Sequence, residues 1–86
     1  MYILILSAKF QKQLTVLVRG DSKFRNQISK TLNFMCLNLN HPSFRLHKLS
    51  GQDNWSVSVS KSVRIVLHWE KDRLYLLRIG KHEDVY

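Results

Sequence analysis

The chain has 86 residues, 14 Lys or Arg against six Asp or Glu, and a formal net charge of +8. A chain of this length supports one modest hydrophobic core, so we expect residues 1–86 to form a single domain. Its one cysteine excludes an intramolecular disulfide and a multi-cysteine zinc site, and the positive charge predicts an anionic partner, with nucleic acid as the strongest candidate.

The first predicted element is a strand at residues 2–6, Tyr-Ile-Leu-Ile-Leu, which is almost wholly apolar. Such a run is typical of a strand that is buried on both faces. It is much shorter than the apolar part of a secretory signal, and no stretch of the chain reaches the ~18 apolar residues of a membrane span. We therefore expect a cytoplasmic protein with no membrane partner.

Two helices are predicted next, at residues 8–18 and 21–38. Apolar residues recur at helical spacing from Phe10 to Val18, and Ser7 is placed to cap this first helix. Gly20 suits the left-handed end of the first helix, and Asp21 suits the beginning of the second. The helical spacing then continues at Phe24, Ile28, Leu32 and Met35.

Pro42 ends the helical pattern, because a residue before proline disfavours the helical conformation. His41 is therefore expected in a turn, and a loop is expected through residues 44–51. From Trp55 the apolar period changes to two, which predicts three antiparallel strands up to residue 79. The predicted architecture is α+β, in the order β-α-α-β-β-β, with two N-terminal helices packed on one face of a small, mainly antiparallel sheet.

Alternation along the strands predicts which side chains point away from the helices. If Val63, Ile65 and Leu67 face the helices, a solvent-facing or substrate-facing set remains, which consists of Ser56, Ser58, Arg64, Val66 and His68. Trp55 and Trp69 are expected in the core. On the last strand, Tyr75, Leu77 and Ile79 would form one face and Leu74, Leu76 and Arg78 the other, and one assignment brings Arg78 beside Arg64.

Three segments carry candidate chemistry: Leu-His-Lys-Leu-Ser-Gly at 46–51, Val-Arg-Ile-Val at 63–66 and Ile-Gly-Lys-His-Glu-Asp-Val-Tyr at 79–86. In this order they resemble the signature of RelE-superfamily toxins, especially YafQ-like mRNA interferases and related plasmid-stabilisation proteins. The resemblance implies the toxin of a type II toxin-antitoxin system, a ribosome-dependent endoribonuclease that needs no metal or other cofactor. It also implies a cognate acidic antitoxin, with a monomeric free toxin and a larger assembly with the antitoxin.

The resemblance assigns catalytic roles to His47, Arg64, His82 and Tyr86. Messenger RNA in the ribosomal A site would be cut by attack of a 2′-hydroxyl on the adjacent phosphate. His47 and His82 would transfer the protons, in an order that stays open, and Arg64 would stabilise the phosphate. Tyr86 would stack on or orient a base.

Further RNA contacts are expected at polar and basic residues around these positions, namely Lys48, Ser58, Lys61, Arg78 and Lys81. Ser58 stands where many family members carry a basic residue, so one cation is missing unless Lys48, Lys61 or Arg78 replaces it. The four histidines lack a close ligand pair, and no metal site is expected.

Two other functions remain open. A ParE-like gyrase inhibitor would share the fold without nuclease activity, and a basic nucleic-acid-binding module would need only the positive charge. The histidines and the terminal aromatic residue favour the nuclease over the gyrase inhibitor. The clustering of candidate acid, base and phosphate-binding residues favours it over the binding module.

Overall fold

A computed structural model of the protein describes residues 1–81. Its elements are β1 (Ile3–Leu6), α1 (Ala8–Leu17), α2 (Ser22–Leu37), a short 3₁₀ helix (Pro42–Phe44), β2 (His47–Lys48), β3 (Asn54–Ser58), β4 (Val63–Glu70) and β5 (Arg73–Lys81). The predicted α+β order is confirmed, with β2 as an addition. Within residues 1–81, no helix combines the length and apolar character that a membrane crossing requires.

The five strands form one sheet in the order β1-β5-β4-β3-β2. β1 runs parallel to β5, and all other neighbours are antiparallel. The prediction of a loop at residues 44–51 is wrong for His47 and Lys48, which pair with Ser56 and Trp55. A strand of two residues is too short to show alternation, so the sequence pattern contains no sign of it.

Both helices begin at the predicted caps. The Ser7 hydroxyl accepts a hydrogen bond from the Phe10 backbone N–H at 3.0 Å. The Asp21 carboxylate accepts from the Phe24 N–H at 2.9 Å. Gly20 has a φ of 72°, the left-handed conformation expected between the two helices.

One hydrophobic core lies between the helices and one face of the sheet. Phe10 of α1 and Met35 of α2 are fully buried in it. Trp55 and Trp69 are partly buried against this core and contact each other edge to face, with ring centroids 5.3 Å apart. The prediction of two helices on one face is confirmed.

β1 is an edge strand and is buried on one face only. Leu4 and Leu6 pack against the core, while Ile3 and Ile5 are 52% and 37% exposed. The prediction that β1 is buried on both faces is therefore wrong. Only alternate residues of this apolar run contact the core, because the face that carries Ile3 and Ile5 remains exposed.

A β-bulge divides β5 into two parts. Val66 pairs with Arg78 but the next residue, Leu67, pairs with Leu76, so Leu77 is an extra residue on β5. An extra residue reverses the alternation of side chains along a strand. Leu74, Leu76 and Ile79 consequently all belong to the core, and both predicted faces of the last strand are wrong.

Candidate functional site

Two cross-strand rows occupy the sheet face away from the helices. In the first row, Ser56 pairs with His47 on one side and with Val66 on the other, and Val66 pairs with Arg78. Side chains directly opposite each other share a face. Ser56 and Val66 are fully buried, so the prediction that these two residues face solvent or substrate is wrong. His47 and Arg78 flank this buried centre.

The second row contains Ser58, Arg64 and Gly80. Arg64 is half-buried, and its Nη1 donates a hydrogen bond to the Ser58 hydroxyl. Its Nε is buried and has no hydrogen-bond partner within residues 1–81. A buried donor without a partner costs about 1–3 kcal/mol, so a ligand oxygen at this position would be stabilised.

His47 is exposed and held by one backbone hydrogen bond. Its Nδ1 lies 3.0 Å from the carbonyl oxygen of Arg45. Since a carbonyl oxygen only accepts, this bond requires the proton on Nδ1. The neutral ring then carries its lone pair on Nε2, which is the state that a general base needs.

The remaining predicted RNA contacts divide into two groups. Lys61 lies in the turn between β3 and β4, close to Arg64. Lys48 pairs with Trp55 on the helix-facing side and lies 4.0 Å from Asp53, so it does not join His47. Lys81 pairs with Val63, a core residue, and therefore also lies apart from Arg64.

Two predicted catalytic residues, His82 and Tyr86, lie outside the described residues, and their roles stay predictions. Within residues 1–81, no group of three or more His, Cys, Asp or Glu side chains is placed to hold a metal ion.

The structure also places residues that the sequence did not single out, among them Arg45, beside predicted site residues. A cleft of about 410 Å³, called here the polar cleft, is lined by Ser43, Arg45, Ser58, Val59, Ser60, Lys61 and Arg64. Arg45 has a left-handed backbone with a φ of 47° at the end of the 3₁₀ helix. Its place two residues before His47 was the only sequence signal, and the 3₁₀ helix that positions it was not predicted.

Within residues 1–81, few acidic side chains lie close enough to the lysines and arginines to pair with them. Among the acids that the structure describes, only Asp53 lies within 4.0 Å of a lysine or arginine, which is Lys48. In β5, a hydrogen bond that Arg73 donates to Tyr75, together with the charges of Tyr75, Asp72 and Glu70, raises the pKa of Arg73. The described surface is therefore suited to an anionic partner.

The other histidines have structural partners. His41 Nδ1 accepts a hydrogen bond from the Ser43 N–H at 3.2 Å, which confirms its predicted place in a turn. His68 lies 3.5 Å from Glu70 and its ring centroid lies 5.9 Å from that of Tyr75. His68 is thus a cross-strand partner of Tyr75.

Several solved structures with the same fold are bacterial toxins. A copper-bound mutant toxin from Helicobacter pylori is 27% identical, with a TM-score of 0.80 over 100% of both chains. The Escherichia coli DinJ-YafQ complex gives 17% identity and a TM-score of 0.79 over 100% of this chain and 99% of that chain. The YoeB/ParE toxin from Agrobacterium tumefaciens gives 16% identity and a TM-score of 0.73 over 95% of this chain and 99% of that chain.

No family model and no curated protein matches the sequence. The structural matches nevertheless agree on one class of fold, which is that of the RelE-like toxins. The resemblance found in the sequence is confirmed: the chain has a RelE-like toxin fold, and YafQ is among its structural neighbours.

Proposed function

We propose that this protein is the toxin of a type II toxin-antitoxin system and cleaves messenger RNA on the ribosome. The observation that carries the proposal is the placement of His47 and Arg64 on one face of the sheet. His47 has Nε2 available for proton transfer, and Arg64 has an unpaired buried Nε. The resemblance of the chain to YafQ-like toxins and its net charge of +8 also support RNA as the substrate.

The reaction requires one proton to leave and one to arrive. The 2′-oxygen forms a bond to the adjacent phosphorus, the bond from phosphorus to the 5′-oxygen breaks, and a 2′,3′-cyclic phosphate and a 5′-hydroxyl result. One of His47 and His82 accepts the 2′-proton, and the other donates a proton to the departing 5′-oxygen. Arg64 stabilises the additional negative charge on the phosphate oxygens.

The partner that restrains this activity is an acidic antitoxin. The neighbouring YafQ structure is a complex with DinJ, a toxin-antitoxin pair. On the present chain, the excess of lysine and arginine over acidic residues favours a negatively charged protein that neutralises it.

The test is primer extension on a translated message in cells that express each variant. His47→Ala and His82→Ala should each reduce cleavage about 10²–10⁴-fold, the usual effect of losing a positioned acid or base. His68→Gln is the matched control, because His68 lies on the same sheet face but pairs with Glu70 instead of lying near Arg64. Circular dichroism should show the same fold for all three proteins.

A result in which folded His47→Ala and His82→Ala cut as well as the parent would remove the acid-base mechanism. The ParE-like alternative then moves ahead, since the YoeB/ParE toxin has the same fold. It predicts that the parent protein inhibits gyrase in a supercoiling assay and that no messenger is cut.

A further inference from the structure

We propose that the polar cleft binds a phosphodiester group of the RNA next to the one that is cut, with Arg45 and Lys61 as its cations. The proposal rests on the proposed function and extends it to a second phosphate-binding site. The ligand is a backbone phosphate of single-stranded RNA, which carries one negative charge and two exposed oxygens.

The composition of the cleft suits an anion. Within residues 1–81 its lining contains three cations, Arg45, Lys61 and Arg64, and no acidic residue. Three serines and Val59 make up the rest of this lining. Cations and hydroxyls are the groups that most often contact nucleic-acid phosphates.

Two of the serine hydroxyls are already used as acceptors, which leaves their hydrogens for a ligand. Ser58 Oγ accepts from Nη1 of Arg64. Ser60 Oγ accepts from the Val63 backbone N–H at 3.3 Å. Because a hydroxyl has one hydrogen to donate besides its acceptor sites, both serines can donate to a phosphate oxygen.

The backbone holds Arg45 in place. Its N–H donates to the Pro42 carbonyl at 3.1 Å, and its own carbonyl accepts from His47 at 3.0 Å. The left-handed conformation is uncommon for a residue other than glycine, asparagine or aspartate. Arg45 therefore supplies a cation to the cleft and orients the proton-transfer residue, so the cleft adjoins the site of cleavage.

The test measures binding separately from cleavage. A labelled oligodeoxyuridylate has no 2′-hydroxyl and cannot be cut, and its affinity is followed by fluorescence anisotropy across a series of salt concentrations. Loss of one phosphate contact reduces the slope of log affinity against log salt by about 0.7 for a single strand. We expect this reduction for Arg45→Asn and for Lys61→Gln.

The variants are chosen so that charge is the property that changes. Asparagine tolerates the left-handed backbone of residue 45, so Arg45→Asn removes the guanidinium without adding strain. Arg45→Lys should restore most of the slope. Lys30→Gln removes an equal charge from the exposed surface of α2 and should leave the slope unchanged. If Arg45→Asn fails to fold, Arg45→Gly replaces it, because glycine adopts the same conformation readily.

The outcomes separate this proposal from the nuclease. If both Arg45→Asn and Lys61→Gln keep the parent protein's slope of log affinity against log salt, the proposed phosphate site is wrong. This conclusion holds whether or not the protein cleaves messenger RNA. Reduced slopes in both, with a parental slope in Lys30→Gln, support the site. If messenger cleavage is then absent from cells expressing the parent protein, the phosphate site stands and the proposed nuclease function is wrong.

Discussion

Ser7 joins the first helix to the bulge in β5, and substitution of this residue tests both. Its hydroxyl accepts from the Phe10 N–H at 3.0 Å and donates to the Leu77 carbonyl at 3.1 Å. Leu77 is the extra residue of the bulge, and the bulge is what turns Arg78 toward the face that carries Arg64. Ser7→Ala removes both hydrogen bonds at once.

The expected decrease in the free energy of unfolding has two contributions, one from the helix cap and one from the bond to Leu77. Removal of an N-cap side chain costs about 0.5–2 kcal/mol, typically near 1. Loss of the bond to the part-buried Leu77 carbonyl adds about 1 kcal/mol. We expect Ser7→Ala to lower the free energy of unfolding by about 2 kcal/mol, which for a domain of this size lowers Tm by about 8–16 °C.

Urea unfolding followed by circular dichroism measures this loss, and two further substitutions separate the terms. Ser7→Asp keeps an acceptor for the Phe10 N–H but has no hydrogen to donate to the Leu77 carbonyl. Its free energy of unfolding should therefore fall by less than that of Ser7→Ala and by more than that of Ser7→Thr. Ser7→Thr keeps both bonds and should be close to the parent. A Ser7→Ala loss below about 0.5 kcal/mol, the range of ordinary surface substitutions, would refute the double role.

Two other predictions concern the backbone of the same fold. Leu76 is fully buried whereas Leu77 is half-buried at the bulge, so Leu76→Ala should cost about 2–5 kcal/mol and Leu77→Ala about half as much. Equal losses in urea unfolding would contradict the observed register. Gly20→Ala should cost about 1 kcal/mol, because a φ of 72° strains alanine although no atom lies within 4 Å of the added Cβ. A Gly20→Ala protein more stable than the parent would show that this strain is absent.

The sequence predicted those parts of the fold that local chemistry determines. Ser7 and Asp21 have short polar side chains before apolar helical patterns, and both cap helices. The change of period at Trp55 predicted β3, since a strand with one face on a core must alternate.

The parts that the sequence did not predict depend on pairing between strands. Around Leu77, apolar residues occur in both alternating sets, so nothing local shows where the extra residue of the bulge lies. β2 has only two residues and exists through its pairing with β3. The edge position of β1 likewise follows from its parallel pairing with β5 and from no property of its own four residues.

In the candidate site, too, some features could be predicted from local sequence and others depend on how the strands pair. His47 and Arg64 were found from sequence segments, and the structure places both on one face. The bond from Arg64 to Ser58 needed the register of β3 and β4, and the place of Arg45 needed the 3₁₀ helix. The catalytic roles of these residues, together with His82 and Tyr86, stay predictions.

The parallel pairing of β1 with β5 determines when during synthesis the sheet can be completed. Ser7 at the end of β1 and Leu77 in β5 are 70 positions apart. Contacts between such distant residues form slowly, and a chain emerging from the ribosome exposes its first strand and both helices before β4 and β5 exist to cover them. The face that carries Arg64 and Arg78 is therefore completed last. A binding partner that recognises β1 or the helices can therefore engage the nascent chain before the face that carries Arg64 and Arg78 exists.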